Sequence, residues 1–163
     1  MTTRSSAKSA PVVFEPEYLD GLKELFERKV VFNHTLGLKI TDIQPTVVLA
    51  TIAMRDDLVG HYSHGRIHGG VISACLDTMG AMACMVNAAT RHMDETPAKR
   101  LERFHKLGTI DLRVDYLRPG LGTHFHIRAE SVRVGSRVGN ARIEFTAPDG
   151  LLISTGTGAY ILS

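Results

Sequence analysis

Arg66-Ile67-His68-Gly69-Gly70-Val71-Ile72-Ser73-Ala74-Cys75-Leu76-Asp77-Thr78-Met79-Gly80-Ala81-Met82-Ala83 is the stretch on which the fold of this chain turns. After His-Gly-Gly it runs through about five turns of small and apolar residues, the make-up of a helix covered on nearly every side. One carboxylate, Asp77, stands inside it. A lone carboxylate taken out of water costs several kcal/mol unless it is paired or reached by water, so this aspartate needs a reason. The glycines ahead of it offer one. A helix amino end presents unpaired N–H groups and about half a positive charge, and glycine lets a substrate oxygen come close to them. Oxyanion donors and a carboxylate on one element are the parts of an acyl-transfer or hydrolysis site.

Working outward, Pro16 to Val31 reads as an amphipathic helix, with Leu19, Leu22, Leu25 and Phe26 opposite Glu24, Glu27, Arg28 and Lys29. Phe32 to Gly37 is expected to turn the chain into a strand pair, Leu38 to Pro45 and Thr46 to Arg55. A polar loop, Asp56 to Ile67, leads into the central helix, which should end near Asn87 to Thr90. Residues 91–107 are the most charged segment, with a short surface helix starting at Pro97. Alternating apolar positions then mark four strands. The first carries Ile110, Leu112, Val114 and Tyr116 and stops at Arg118-Pro119-Gly120. The next carries Phe125, Ile127 and Ala129, and Val138 to Thr146 and Leu151 to Leu162 complete the set. This order predicts an α+β domain, an antiparallel sheet wrapped around one long central helix with an extra N-terminal helix, over residues 15–163 behind a disordered tail, 1–14.

The totals narrow the function. A net charge of +2 with no run of Lys/Arg among aromatics gives no case for nucleic acid. Val71 to Ala89 is nearly long enough to span a bilayer, but Asp77, Asn87 and its Gly/Ala/Ser content mark it as the buried helix of a soluble protein. Cys75 and Cys84 fall on opposite sides of that helix and cannot bridge each other, and free thiols suit a reducing, cytoplasmic compartment. Met1 to Ala10 is polar and acid-free, and is read as a tail rather than a transit or signal segment. His61, His64 and His68 have a spacing seen in zinc sites, yet no cysteine or acid follows and Gly65 and Gly69 interrupt any helix, so no metal is expected.

The element order, His68-Gly69-Gly70 opening the helix, and Asp77 nine residues after the histidine together resemble the hotdog-fold thioesterases of the PaaI type. The stretch Gly108-Thr109-Ile110-Asp111-Leu112-Arg113-Val114-Asp115-Tyr116-Leu117-Arg118-Pro119-Gly120 is similar to the strand after the helix in that group. With the leading helix and the charged segment, the chain most resembles the YigI-like acyl-CoA thioesterases. The resemblance implies Asp77 as general base or nucleophile and the amide of Gly69 or Gly70 as the donor to the thioester carbonyl. It implies His68 as the residue that shapes the loop and Thr109 as the one that positions the attacking water. The family often has an asparagine six or seven residues before His-Gly-Gly. Here those places hold Tyr62 and His61, with His61 as a substitute donor and Tyr62 grouped with the substrate contacts.

The function this resemblance implies is hydrolysis of medium- or long-chain acyl-CoA to free acid and CoA, with no cofactor beyond the coenzyme A of the substrate. An aryl-CoA thioesterase and a non-catalytic acyl-CoA-binding protein are the alternatives. A hotdog hydratase ranks below them, because no histidine follows Asp77 before His92. Asp77 and Gly70 share a helix face but lie about 10 Å apart along the axis, too far to serve one carbonyl. A two-fold partner with an antiparallel central helix closes that gap, predicting an obligate homodimer with composite sites. The resemblance extends this to a dimer-of-dimers tetramer. Arg118, Arg133 and Arg137 are candidate partners for the CoA phosphates, and Val71, Ile72, Met79, Met82 and Met85 for an acyl tunnel.

Overall fold

A computed structural model describes residues 12–163. Helix α1 (Pro16–Lys23) begins with proline in its first turn and buries Tyr18 and Leu22. It continues through a π-helical turn, Glu24–Lys29, breaks at Val30, and resumes as α2 (Val31–Leu36). The chain therefore stays helical where a simple turn into the strands was expected. Two residues account for this. Asn33 Nδ2 donates to the Phe26 carbonyl at 2.9 Å, satisfying a group in the π turn. Gly37, at φ 75°, closes α2 by donating to the Asn33 and His34 carbonyls. Residues 1–11 of the expected tail lie outside the described residues. Phe14, assigned to that tail, is buried with its ring 5.1 Å from that of Tyr18, so packed chain begins before Glu15.

The strands follow as β1 (Lys39–Ile43), β2 (Val47–Ala53) and a small separate hairpin, β3 (Val59–His61) with β4 (Arg66–Ile67). Then come α3 (Gly69–Ala89), α4 (Pro97–Glu102), β5 (Gly108–Tyr116), β6 (His124–Val134), β7 (Val138–Thr146) and β8 (Leu152–Ile161). Six strands form one antiparallel sheet in the order β1-β2-β6-β7-β8-β5. Helix α3 lies across β6, β7 and β8. Alternate strand residues such as Phe125, Ile127, Ile143 and Phe145 are buried with Ile72, Leu76, Met79 and Met82 of the helix. Each such side chain contributes about 1.5–3 kcal/mol of burial. Gly80 is required where α3 meets β8, because a Cβ there would stand 2.3 Å from the Tyr160 hydroxyl. By length and composition α3 with its following turn is able to cross a bilayer, but here it is the core of the hotdog fold that the sequence implied.

Two features outside the core position the site. Strand β5 is an edge of the sheet, and its outer rim carries exposed Ile110 and Tyr116. The expected surface helix α4 starts at Pro97, capped by Thr96, but it is pinned rather than free. Its Arg100 is fully buried and donates to Glu15 at 2.5 Å and to Met93 Sδ at 3.0 Å, with its guanidinium 4.6 Å from the Tyr18 ring centre. That hydrogen bond holds the Glu15 carboxyl below its ordinary range. Leu101 fits against Gly21, so α1 and α4 form one unit.

Candidate active site

His68 is the N-cap of α3, and its Nδ1 accepts from the Gly70 N–H at 2.8 Å. Accepting at Nδ1 leaves Nε2 as the ring's N–H donor. The His68 carbonyl takes the next two amides, Val71 at 3.0 Å and Ile72 at 3.2 Å. Of the first-turn amides, only the Gly69 N–H is left without a partner among the described residues. Tyr116, at the far end of β5, donates its hydroxyl to the Gly69 carbonyl at 2.8 Å. The Gly69–Gly70 peptide is thus held at both ends, its oxygen by Tyr116 and its N–H by His68. A Cβ on Gly69 would stand 3.3 Å from the Tyr116 ring, so only glycine leaves this contact unstrained.

Asp77 lies two turns along α3, half-buried, and accepts from Thr109 Oγ1 at 2.9 Å. Burial pushes its carboxyl above the ordinary range, and the Thr109 hydroxyl pulls it part of the way back. No cation among the described residues pairs with it. Beside it is a cavity of about 160 Å³ walled by Phe26, Val30, Ala81, Phe104 and Leu107. A carboxylate with one hydroxyl donor, no counter-ion and an apolar hollow next to it is suited to accept a proton from water. Thr109 and Tyr116 sit near opposite ends of β5, so this edge strand reaches both the carboxylate and the carbonyl of the glycine whose N–H is free.

The remaining expected residues are distributed unevenly. His61 and Tyr62 occupy the β3–β4 hairpin, where His61 Nδ1 meets Ser63 Oγ at 3.0 Å and Tyr62 is 95% exposed. Neither lines the Asp77 cavity. The His61 and His64 rings are 4.7 Å apart, whereas His68 is turned to cap α3. Arg118 donates to the Leu152 carbonyl at 3.0 Å, just past the Tyr116 end of β5. Arg133 and Arg137 flank the exposed β6–β7 turn, which Arg91 ties to the carboxyl end of α3 through the Val134 and Gly135 carbonyls. The three arginines do not form one cluster within a protomer.

The residues expected to form the acyl tunnel divide into two groups. Ile72, Met79 and Met82 are buried in the helix–sheet core, toward β6–β8. Val71 instead lines a cavity of about 430 Å³ at the amino end with His68 and Phe32, and Met85 one of about 330 Å³ at the carboxyl end with Ala88 and Leu107. Sequence reasoning does not single out Tyr116, Asn33, Phe104 or Leu107. Tyr116 lies in the quoted strand motif but counts there only as one of its alternating residues. Phe104 and Leu107 are the apolar signal inside a segment dominated by charge.

A single helix that carries both an unclaimed amide at its start and a desolvated carboxylate on its flank, in a hotdog sheet, is the pattern of an acyl-thioester hydrolase. Comparison with known proteins agrees: the Thioesterase superfamily model matches residues 64–154, and the chain belongs to that superfamily. It is similar to the medium/long-chain acyl-CoA thioesterase YigI of Salmonella typhimurium, 34% identical over 139 residues covering 85% of this chain and 90% of that protein. A crystal structure of a Shewanella oneidensis protein related to the thioesterase superfamily superposes with a TM-score of 0.84 at 34% identity, covering 92% of this chain and all of that one (100%). The PaaI protein of the E. coli phenylacetic acid degradation operon shares the fold, with a TM-score of 0.70 at 16% identity over 90% of this chain and 94% of its own.

Proposed function

We propose that this thioesterase hydrolyses medium- and long-chain acyl-CoA, using a water activated by Asp77 and an oxyanion site at Gly69, with the two supplied by different protomers of a homodimer. The observation that carries the reading is the pairing of a counter-ion-free, half-buried Asp77 bonded to Thr109 with an unclaimed Gly69 N–H. The ionised carboxylate takes a proton from water, the hydroxide adds to the thioester carbonyl, and the oxyanion forms against the Gly69 amide. Collapse expels the CoA sulfur, which recovers the proton from Asp77. Likeness to YigI supports the chain class.

The edge strand supports the dimer. Thr109 and Tyr116 are about 23 Å apart along β5. Antiparallel pairing of β5 with its two-fold copy exchanges these ends, bringing one protomer's Asp77 toward the partner's Gly69. Two such dimers back to back give the tetramer that the family resemblance implies. The Gly135–Ser136 turn between Arg133 and Arg137 walls the cavity at Ala88, so in this reading the CoA phosphates fall to Arg118, just past the Tyr116 end of β5. The buried thiols of Cys75 and Cys84, both pushed up to about 12 by burial, favour a reducing cytoplasmic setting.

Free-thiol release from saturated acyl-CoA esters of graded length, with phenylacetyl-CoA alongside, tests the activity. Release that rises toward longer chains is expected, whereas no release from any ester would end the proposal. The composite site has its own test. Gly69→Pro removes the amide hydrogen at a first helical position, where proline is favoured, and asks the exposed Tyr116 ring to give by a few tenths of an ångström. Asp77→Asn removes the base. Each variant alone should be inactive, and a mixture refolded together should regain about a quarter of wild-type activity, from one intact site in half of the dimers. A mixture as inactive as its components would place both groups in a single protomer.

A further inference from the structure

The Asp77 hollow has a larger neighbour across Leu107. That side chain walls both the cavity beside Asp77 and the larger one beyond it, and the two lie along one face of α3: Asp77, Ala81, Met85 and Ala88 succeed each other at three- and four-residue steps. Building on the function proposed above, we infer that these cavities are two sections of one acyl channel, roofed by the 91–107 segment, in which Leu107 is the constriction that sets chain length.

Three observations carry this. The first section is closed above by Phe26 and Phe104, whose rings meet edge to face at 5.5 Å. The roof is fixed, since Arg100 anchors its segment to Glu15 and Tyr18, and Arg103 donates to both Glu95 carboxylate oxygens at 2.9 Å. The second concerns polarity. The one amide facing the first section, Asn33, is committed at both ends, to the Phe26 carbonyl and to the Thr78 hydroxyl. The other polar side chains of that section are engaged as well, Thr78 with Asn33 and Thr109 with Asp77, and the remaining walls, Phe26, Val30, Ala81, Phe104 and Leu107, suit an alkyl chain, which needs no partner. The third is length. From Asp77 to Ala81 is about 6 Å along the helix and to Ala88 about 16 Å. An extended alkyl chain advances roughly 1.25 Å per carbon at ordinary C–C bond lengths. Chains of about five carbons end before Leu107, and chains of about twelve have to pass it and reach the section that Met85, Ala88 and Leu162 line together with Arg91, His92 and Arg103.

The experiment measures kcat/KM for hexanoyl-, decanoyl- and tetradecanoyl-CoA in the full-length protein and two variants. Ala88→Phe fills the far section from a half-buried position, and Leu107→Ala opens the constriction. Each methylene kept out of the channel is worth about fourfold. The tetradecanoyl-to-hexanoyl ratio should therefore fall at least tenfold in Ala88→Phe and rise in Leu107→Ala. Equal changes at every chain length, the result expected if this groove takes the pantetheine arm, would overturn the inference, as would an unmoved ratio. A wild-type protein that releases CoA from none of the three esters refutes the proposed function itself, a result distinct from an active enzyme whose chain-length profile ignores both substitutions.

Discussion

The two long faces of α3 invite comparison, because both are apolar in sequence and only one is core. Toward the sheet, Ile72, Leu76, Met79, Met82 and Val86 are buried to within 2% of complete. On the opposite side run Ala74, Asp77, Thr78, Ala81, Met85 and Ala88, all but Met85 smaller residues that leave room for the hollows beside them. Size rather than polarity separates the two faces, and the one carboxylate sits on the side with space. The first face is built for stability and the second for chemistry, so substitutions on each should fail in different assays.

The largest effect is expected at Asp77. Asp77→Asn keeps an oxygen for the Thr109 hydroxyl but cannot take a proton, and should lower kcat by about 10²–10⁴-fold. Its stability should move the other way. Burial raises the Asp77 pKa on folding, so the ionised form works against the fold. The wild type is relatively favoured at low pH and loses ground as pH climbs from the ordinary carboxylate range through the raised value. Above that window the Asn variant should melt at least as high as wild type. A variant that melts lower while staying active would collapse the distinction between the faces.

Met79→Ala is the mirror experiment. Truncating a fully buried side chain in the helix–sheet core should cost about 2–5 kcal/mol in denaturant unfolding. Activity per folded molecule should change little, since Met79 touches no cavity beside Asp77 or Ala88. A selective loss of long-chain substrates in this variant would restore Met79 to the acyl site.

Why the two faces cannot be told apart in the sequence is itself a physical point. Apolar residues occur all round α3, so its 3.6-residue period marks a buried helix without saying which side meets the sheet. Existence, ends and the importance of Asp77 are legible, because one charge in a greasy run has few structural explanations. The choice between Gly69 and Gly70 is not. It depends on where the His68 ring turns, and capping of Gly70 by Nδ1 is a geometric fact. The N-terminal unit is obscured by its π turn. One extra residue per turn rotates everything after it by about 100°, so the pattern through Phe26 does not carry into α2. Arg100 misleads for a similar reason: a charge in a charged segment reads as surface, and only its meeting with Glu15 and Tyr18 makes it interior.

Thr109 gives a smaller effect with a definite sign. Its hydroxyl favours the ionised form of Asp77, so Thr109→Val, which keeps the β-branched shape that suits a strand, lets the pKa rise further. The acidic limb of kcat/KM against pH should shift to higher pH, with a few-fold loss near neutrality. A uniform drop with the limb unmoved would mean that Thr109 holds the water rather than tuning the carboxylate.

The smallest predicted change probes the other end of β5. Tyr116→Phe removes the hydroxyl that holds the Gly69 carbonyl, a bond worth about 0.5–1.5 kcal/mol, while leaving the ring in place over Gly69. The ring is largely exposed, so melting should hardly move. With its carbonyl freed, Gly69 gains freedom about its own dihedrals, which loosens the aim of the N–H it carries on the preceding peptide, and preorganised donors lose most where charge develops in the transition state. The loss should therefore fall on kcat and leave KM unchanged. A rise in KM alone would make Tyr116 a contact for bound substrate, and the amide would then owe its orientation to the His68 cap.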